Sequence, residues 1–489
     1  LKFEVFKKGK IDSDFLLCGA YAFGSDGLVI RRAKIEFKDG VIECKKPYQA
    51  TSGIALLWPI EGFGRVILPT TCLPEREKPY NLNVEIARAK LMQSVNKREE
   101  WSIFDNFGAL ADISREAQSL FIEAIENLSS PSTASKLADE SLRRSIILSE
   151  KLAVKQAESF FVAKSSSHGF SRGCLGCRID PAMIYNSAYM EKLMELFGFV
   201  FLPVNWAQIE RQKGSFDFSL IDACVSVLSK RKIAICAGPL LCFSNENLPE
   251  WVLKDEGEFE RVRESAYQFI VKMVSRYSDH IRSWIVVSGM NMQNHFEFNF
   301  EQVLEMTRAA TMAVKAVSNR VLKIVEISNP WGEYYSAMPG TIPPVMYIDM
   351  LLQGGISFDA FGFRLQFGKN QDGMRPRDMM EISAILDKFT LANKALYITG
   401  LEIPSENVSG DGELAGQWHG QWNDLLQSRW LEQFYKIALS KPFIDSVVYS
   451  NLIDNPGSEI PKSGLMTEGF EPKRSYLVLK RIHEIIFNR

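Results

Sequence analysis

From about residue 174 to the C-terminus, apolar runs rich in β-branched and aromatic residues alternate with amphipathic stretches of helical period. That alternation is the pattern of repeated βα units wound around a parallel sheet. The runs are 176–179, 199–204, 233–237, 283–287, 322–327, 360–365, 395–398 and 446–449. Eight of them predict an α/β fold, a C-terminal (β/α)₈ TIM barrel over 170–489. Residues 1–105 read differently, as short alternating runs such as Ala33-Lys34-Ile35-Glu36-Phe37, broken by Ser25-Asp26-Gly27 and Lys38-Asp39-Gly40. Short strands with Asp-Gly turns predict an N-terminal β-sandwich, an architecture shared with accessory modules. Over 106–165 the period becomes 3.6, with Leu110, Ile113, Ala117, Phe121 and Ile125 on one stripe and Leu142, Ile146, Leu152 and Ala157 on a second. The break at Ser129-Ser130-Pro131-Ser132 makes this a helical hairpin linking sandwich to barrel.

Composition narrows the partners. With 489 residues, 46% hydrophobic and 24% charged, the chain has room for two or three globular domains. A net charge of −2, from 57 basic and 59 acidic residues, supplies no field for a polyanion, so no nucleic acid is expected as a partner. No uncharged apolar run approaches about 18 residues, so no membrane span is expected either. The opening Leu1-Lys2-Phe3-Glu4-Val5 suits an edge strand better than a signal peptide, which slightly favours a cytoplasmic location. Of eight cysteines, Cys18, Cys72, Cys224, Cys236 and Cys242 lie in apolar surroundings. Cys174 and Cys177 form a CxxC without a second pair, which favours packing over metal or redox work. No cofactor and no metal is expected.

In a barrel of this kind the chemistry sits just beyond the strand C-termini. Gly289 ends the fourth run, and Gly400 lies in the seventh segment, Tyr397-Ile398-Thr399-Gly400-Leu401-Glu402. A period of two puts Glu402 on the same face as Gly400, as a site carboxylate or as an acceptor for a neighbouring strand. Glu326, inside the fifth strand, is costly to bury unpaired and calls for a partner such as Arg364 or Arg178. His295 is the histidine best suited to proton transfer, or is a loop hydrogen-bonding residue. Trp331, Glu333, Tyr334 and Tyr335 cluster after the fifth strand, and Trp418 and Trp422 after the seventh. Such clusters hold sugars on their ring faces or plug loops onto the barrel. Trp58 and Trp101 read as packing residues.

Several blocks of 170–489 resemble glycoside hydrolase family 10, the retaining endo-xylanases. Asn205-Trp206, Glu210 and Gly214-Ser215-Phe216-Asp217-Phe218 are similar to the family's KWDxxEPxxGxFxF stretch, and Leu248-Pro249-Glu250-Trp251-Val252 to its LPxWV. The resemblance implies a carbohydrate-active barrel with a polysaccharide or oligosaccharide partner. It also puts Gly289 at the position of the acid/base of WDVVNE and Gly400 at that of the nucleophile of ITELDI. A retaining glycosidase needs two carboxyl groups about 5 Å apart, and glycine supplies neither. Pro239, Phe243 and Ser244 depart from GHTLVWH, and Arg364 and Gln366 from GxQxH. Sugar contact would then fall to Asn205, Trp206, Asn291, Asn294, Trp331, Tyr334, Arg364, Gln366 and Trp418, with Glu402, Glu333 and His295 as candidate catalytic groups.

Three functions stay open: a glycan-binding barrel without retaining hydrolysis, a hydrolase with relocated carboxylates drawn from Glu402, Glu333, Glu326, Glu406 or Asp454, and an interaction or assembly protein. Self-association into a homo-oligomer is compatible with each.

Overall fold

The eight expected strands close into one parallel barrel in chain order: Leu175–Arg178, Phe199–Pro203, Ala234–Gly238, Ile281–Ser288, Leu322–Ser328, Ala360–Gln366, Ala395–Glu402 and Ile444–Tyr449. The computed structural model describes residues 1–101, 108–254, 258–407, 410–460 and 462–487. The expected boundary at 105–106 lies outside the described residues. Inside the barrel, Phe201, Cys236, Ile285, Ile324, Ala360 and Val448 pack as one apolar layer. Two residues beyond Ile324 stands Glu326, brought into register with Ser288 by a bulge in the fourth strand, with Arg178, Arg364 and Glu402 on other strands. An apolar plug therefore supports a charged upper layer, which is where the strand period of two must place these side chains.

The N-terminal residues build a four-stranded sheet, three strands of a second and a two-stranded ribbon. Their strands end at Asn81. Residues Leu82–Glu100, expected within the sandwich, form a helix capped by Asn81, whose side chain accepts from the Val84 amide at 3.3 Å. The hairpin helices are Gly108–Glu126 and Pro131–Ser166, the second opening on proline at its first turn. Buried Ser141 and Ser149 let neighbouring helices approach this long helix closely, and their hydroxyls bond to the carbonyls of Ala117 and Ile146.

Sheets, helices and barrel interlock. In the loop after the seventh barrel strand, Gln417–Trp418 pairs antiparallel with Gly64–Pro69 and becomes the edge strand of an N-terminal sheet. Glu150 of the long helix accepts from Trp418 Nε1 at 2.8 Å, from His419 Nε2 at 2.7 Å and from the Met379 amide at 3.2 Å. Lys90 and Asp378, both buried, form an ion pair of 2.7 Å between the first helix and the barrel.

At this junction, burial pushes the Asp139 carboxyl up from 3.8 to about 7, against the opposing hydrogen bond from Asn83 Nδ2 at 2.8 Å. A carboxyl whose folded pKa is raised favours the fold while protonated. Stability should therefore decline as pH rises from about 3.8 to about 7 and level off above. Asp139→Asn is expected to flatten that slope in melting temperature measured across this range; a slope identical to wild type would remove Asp139 as its source.

Candidate functional site

At the C-terminal ends of the barrel strands lies an open cleft of about 1180 Å³. Among the described residues, those lining it come from the barrel part of the chain, between Arg178 and Glu459. Its floor is the charged layer. Glu326 accepts from Ser288 Oγ at 2.5 Å, and Glu402 accepts from Ser458 Oγ at 3.2 Å. Between them Arg364 reaches Glu402 and Glu459, each at 3.8 Å. Burial opposes the charge on Arg364, but Glu402, Glu326 and Glu459 outweigh it and raise its pKa. Arg178 stands with its guanidinium 5.6 Å from the centre of the Phe201 ring; burial, then the like charge of Arg364, lowers it to about 10 despite Glu402 and Glu326. The expected partners of Glu326 are thus both present as charges beside it, although the direct hydrogen bond comes from Ser288.

The two glycines differ. Gly289 follows the fourth strand in a left-handed conformation, φ 64°, and its carbonyl accepts from the Met292 and Gln293 amides to open a turn. A Cβ there would lie 3.0 Å from both Gln293 Oε1 and Ser328 Oγ. Gly400 lines the cleft in ordinary strand conformation, paired in register with Arg364. A Cβ at 400 would meet Ser450 Oγ at 3.2 Å and Arg364 Cγ at 3.3 Å, so the arginine stem fills the space beside this glycine.

Of the residues singled out by sequence, the cleft gathers Asn205, Arg364, Gly400, Glu402 and Glu326. Gln366 stands behind it, donating to Glu459 at 3.1 Å. Others are elsewhere. Trp206 is buried, its indole bonded to Glu210 at 2.8 Å and its ring stacked on Phe269. Asn291 is buried on Tyr334 and the Ser328 carbonyl, and Asn294 closes its own loop through Phe298. Tyr334 is buried and donates to the Ile342 carbonyl at 2.7 Å. Trp331 borders a separate crevice near Tyr21, under the Arg377 guanidinium at 4.1 Å. Trp418 is buried in the N-terminal sheet. The aromatic mouth expected from the sequence is therefore absent among the described residues, and Phe201 is the one aromatic residue lining the cleft.

The candidate catalysts separate too. Glu333 is buried in an ion pair with Arg377 and accepts from the Gly373 amide at 2.5 Å. His295 is exposed with its ring edge-on to Phe296. Asp454 pairs with Lys473 at 2.6 Å in the interior, and Glu406 is exposed outside the cleft. Sequence reasoning missed Ser288, Gln293, Lys369, Ser458 and Glu459. Three of these lie in loops after the fourth and eighth strands, the places a barrel uses for its site, but with no pattern of their own.

The profile of Glycosyl hydrolase family 10 matches residues 171–456, more than half of the chain. The chain belongs to glycosyl hydrolase family 10. Solved family 10 structures share the fold. One from Paenibacillus barcinonensis is 15% identical with a TM-score of 0.51, covering 66% of this chain and 98% of that one. A psychrophilic family 10 endo-β-1,4-xylanase is 17% identical with a TM-score of 0.50, covering 63% and 95%. Native xylanase 10C from Cellvibrio japonicus is 14% identical with a TM-score of 0.50, covering 64% and 70%. No curated protein matches the chain. Within this family 10 barrel the buried thiols carry no reactive signature: burial raises Cys174 to about 12 and pushes Cys177 higher still.

Proposed function

We propose that this family 10 barrel binds a β-linked glycan in the cleft without the retaining hydrolysis of the xylanases it resembles. The observation that carries the reading is the pair of strand ends at Gly289 and Gly400. One is a turn that disfavours a side chain, and at the other an arginine stem fills the space beside the glycine. What surrounds them is still a binding surface: an open cleft lined with amide, hydroxyl and charged groups that can take sugar hydroxyls. The two carboxylates nearest the floor, Glu326 and Glu402, are engaged by Ser288 and by Ser458 and Arg364. Their presence in one cleft favours the hydrolase with relocated carboxylates as the second reading. An interaction protein would be expected to cover the mouth with its sandwich, its hairpin or another protomer, and among the described residues none from the sandwich or hairpin lines it.

The test is calorimetric titration with neutral and uronic β-linked oligosaccharides, run alongside an assay of reducing-end release. Binding without release is the expected result. Release that disappears in Glu402→Gln would replace this reading with the second one, and absence of both binding and release would overturn it in favour of an assembly role.

A further inference from the structure

The floor of the cleft carries more hydrogen-bond donors than the protein itself uses. Each guanidinium offers five N–H groups in a rigid fork. Among the described residues, Arg178 has no hydrogen bond or ion pair recorded for its side chain, and Arg364 has only the two carboxylate contacts at 3.8 Å, too long for hydrogen bonds. Both arginines line the cleft, so their free donors face its interior. Glu402 stays 3.8 Å from Arg364, beyond hydrogen-bond reach, and Glu326 and Glu402 each accept from a serine hydroxyl. Lys369 adds a third cation to the lining.

Arg178 and Arg364 lie together in a partly enclosed site, where burial first and then the like charge of Arg364 disfavour the charge on Arg178. The arrangement is offset when an anion joins them, and the planar fork of arginine suits a carboxylate through two parallel hydrogen bonds. A neutral sugar is held differently, by an aromatic face against its C–H surface. Among the described residues, this cleft presents no tryptophan or tyrosine to serve that purpose. Beside Gly400, where the family resemblance implies a negative nucleophile, the space belongs to the stem of a cationic side chain.

We propose that the ligand of this cleft is an acidic saccharide, a uronic acid residue whose carboxylate is seated on the guanidinium groups of Arg178 and Arg364. The inference rests on the glycan-binding reading and specifies its substrate class.

The experiment compares three tetramers of one backbone by calorimetry: β-1,4-linked tetraglucuronic acid, its methyl ester and cellotetraose. The acid should bind at least about tenfold more tightly than the ester, as expected when a charge-assisted bidentate contact replaces a neutral one. Raising the salt concentration should narrow the difference. Arg178→Gln and Arg364→Gln should each abolish the preference for the acid over its methyl ester; if either variant fails to fold, the wild-type comparison of acid with ester decides alone. Equal binding of acid, ester and cellotetraose overturns the acidic-ligand inference and leaves glycan binding standing. Binding of none of the three overturns both.

Discussion

Asp378→Ala is expected to lower the free energy of unfolding by about 3–5 kcal/mol, the usual cost of stranding one member of a buried ion pair. Both oxygens of Asp378 lie 2.7 Å from Lys90 Nζ, and both side chains are out of solvent. Removing the carboxylate leaves the ammonium with Gln93 Oε1 as its remaining hydrogen-bond acceptor among the described residues. The same side chain caps the barrel helix Met379–Lys388 through the Met380 amide at 3.1 Å, so the cap is lost as well, worth about 1 kcal/mol. Urea unfolding followed by tryptophan fluorescence measures the change. The double variant Lys90→Met/Asp378→Leu should recover most of the loss, because a buried pair replaced by apolar groups of similar size is often close to neutral. A single-variant cost below about 1 kcal/mol would mean that water reaches the pair and screens it.

Introducing glutamates at positions 289 and 400 is expected to give no reducing-end release from xylan. At Gly289 the left-handed backbone costs a residue with a Cβ about 1–2 kcal/mol, before its contacts with Gln293 and Ser328 at 3.0 Å are counted. The turn must open before a glutamate could aim at a leaving group. At position 400 the new side chain would emerge against Arg364, and its carboxylate would be drawn into an ion pair instead of being free to attack. Gly289→Ala, which adds the Cβ alone, should lower stability by at least about 1–2 kcal/mol, the backbone cost together with those contacts. Measurable turnover by Gly289→Glu/Gly400→Glu would show instead that the hydrolytic backbone geometry has survived, and the binding-only reading would then rest on two side chains alone.

The barrel was legible because its strands are buried, six of them contributing a residue to the apolar plug, so the runs stand out against polar loops. The helix Leu82–Glu100 was not. Its Asn83, Glu85 and Lys90 are buried polar groups satisfied by Phe6, Asp139, Arg88 and Asp378, and they interrupt the apolar stripe that would announce a helical period. Within the site, the cost of burying Glu326 correctly demanded nearby cations. The aromatic clusters misled because richness in tryptophan is local information, whereas the destination of Trp418 is set by pairing with Gly64, far away in the chain. Composition can say that a ring will be buried; it cannot say against which surface.

That pairing also bears on synthesis. The strand Gly64–Pro69 is made early, while Gln417–Trp418, its neighbour on one side, is added about 350 residues later. At roughly 5–20 residues per second a ribosome needs on the order of 20–70 seconds to reach it. For that interval the sheet presents an unfilled row of backbone donors and acceptors to anything nearby, the situation that invites edge-to-edge sticking. A nascent chain of this design gains from a chaperone able to shield that row until translation is almost finished.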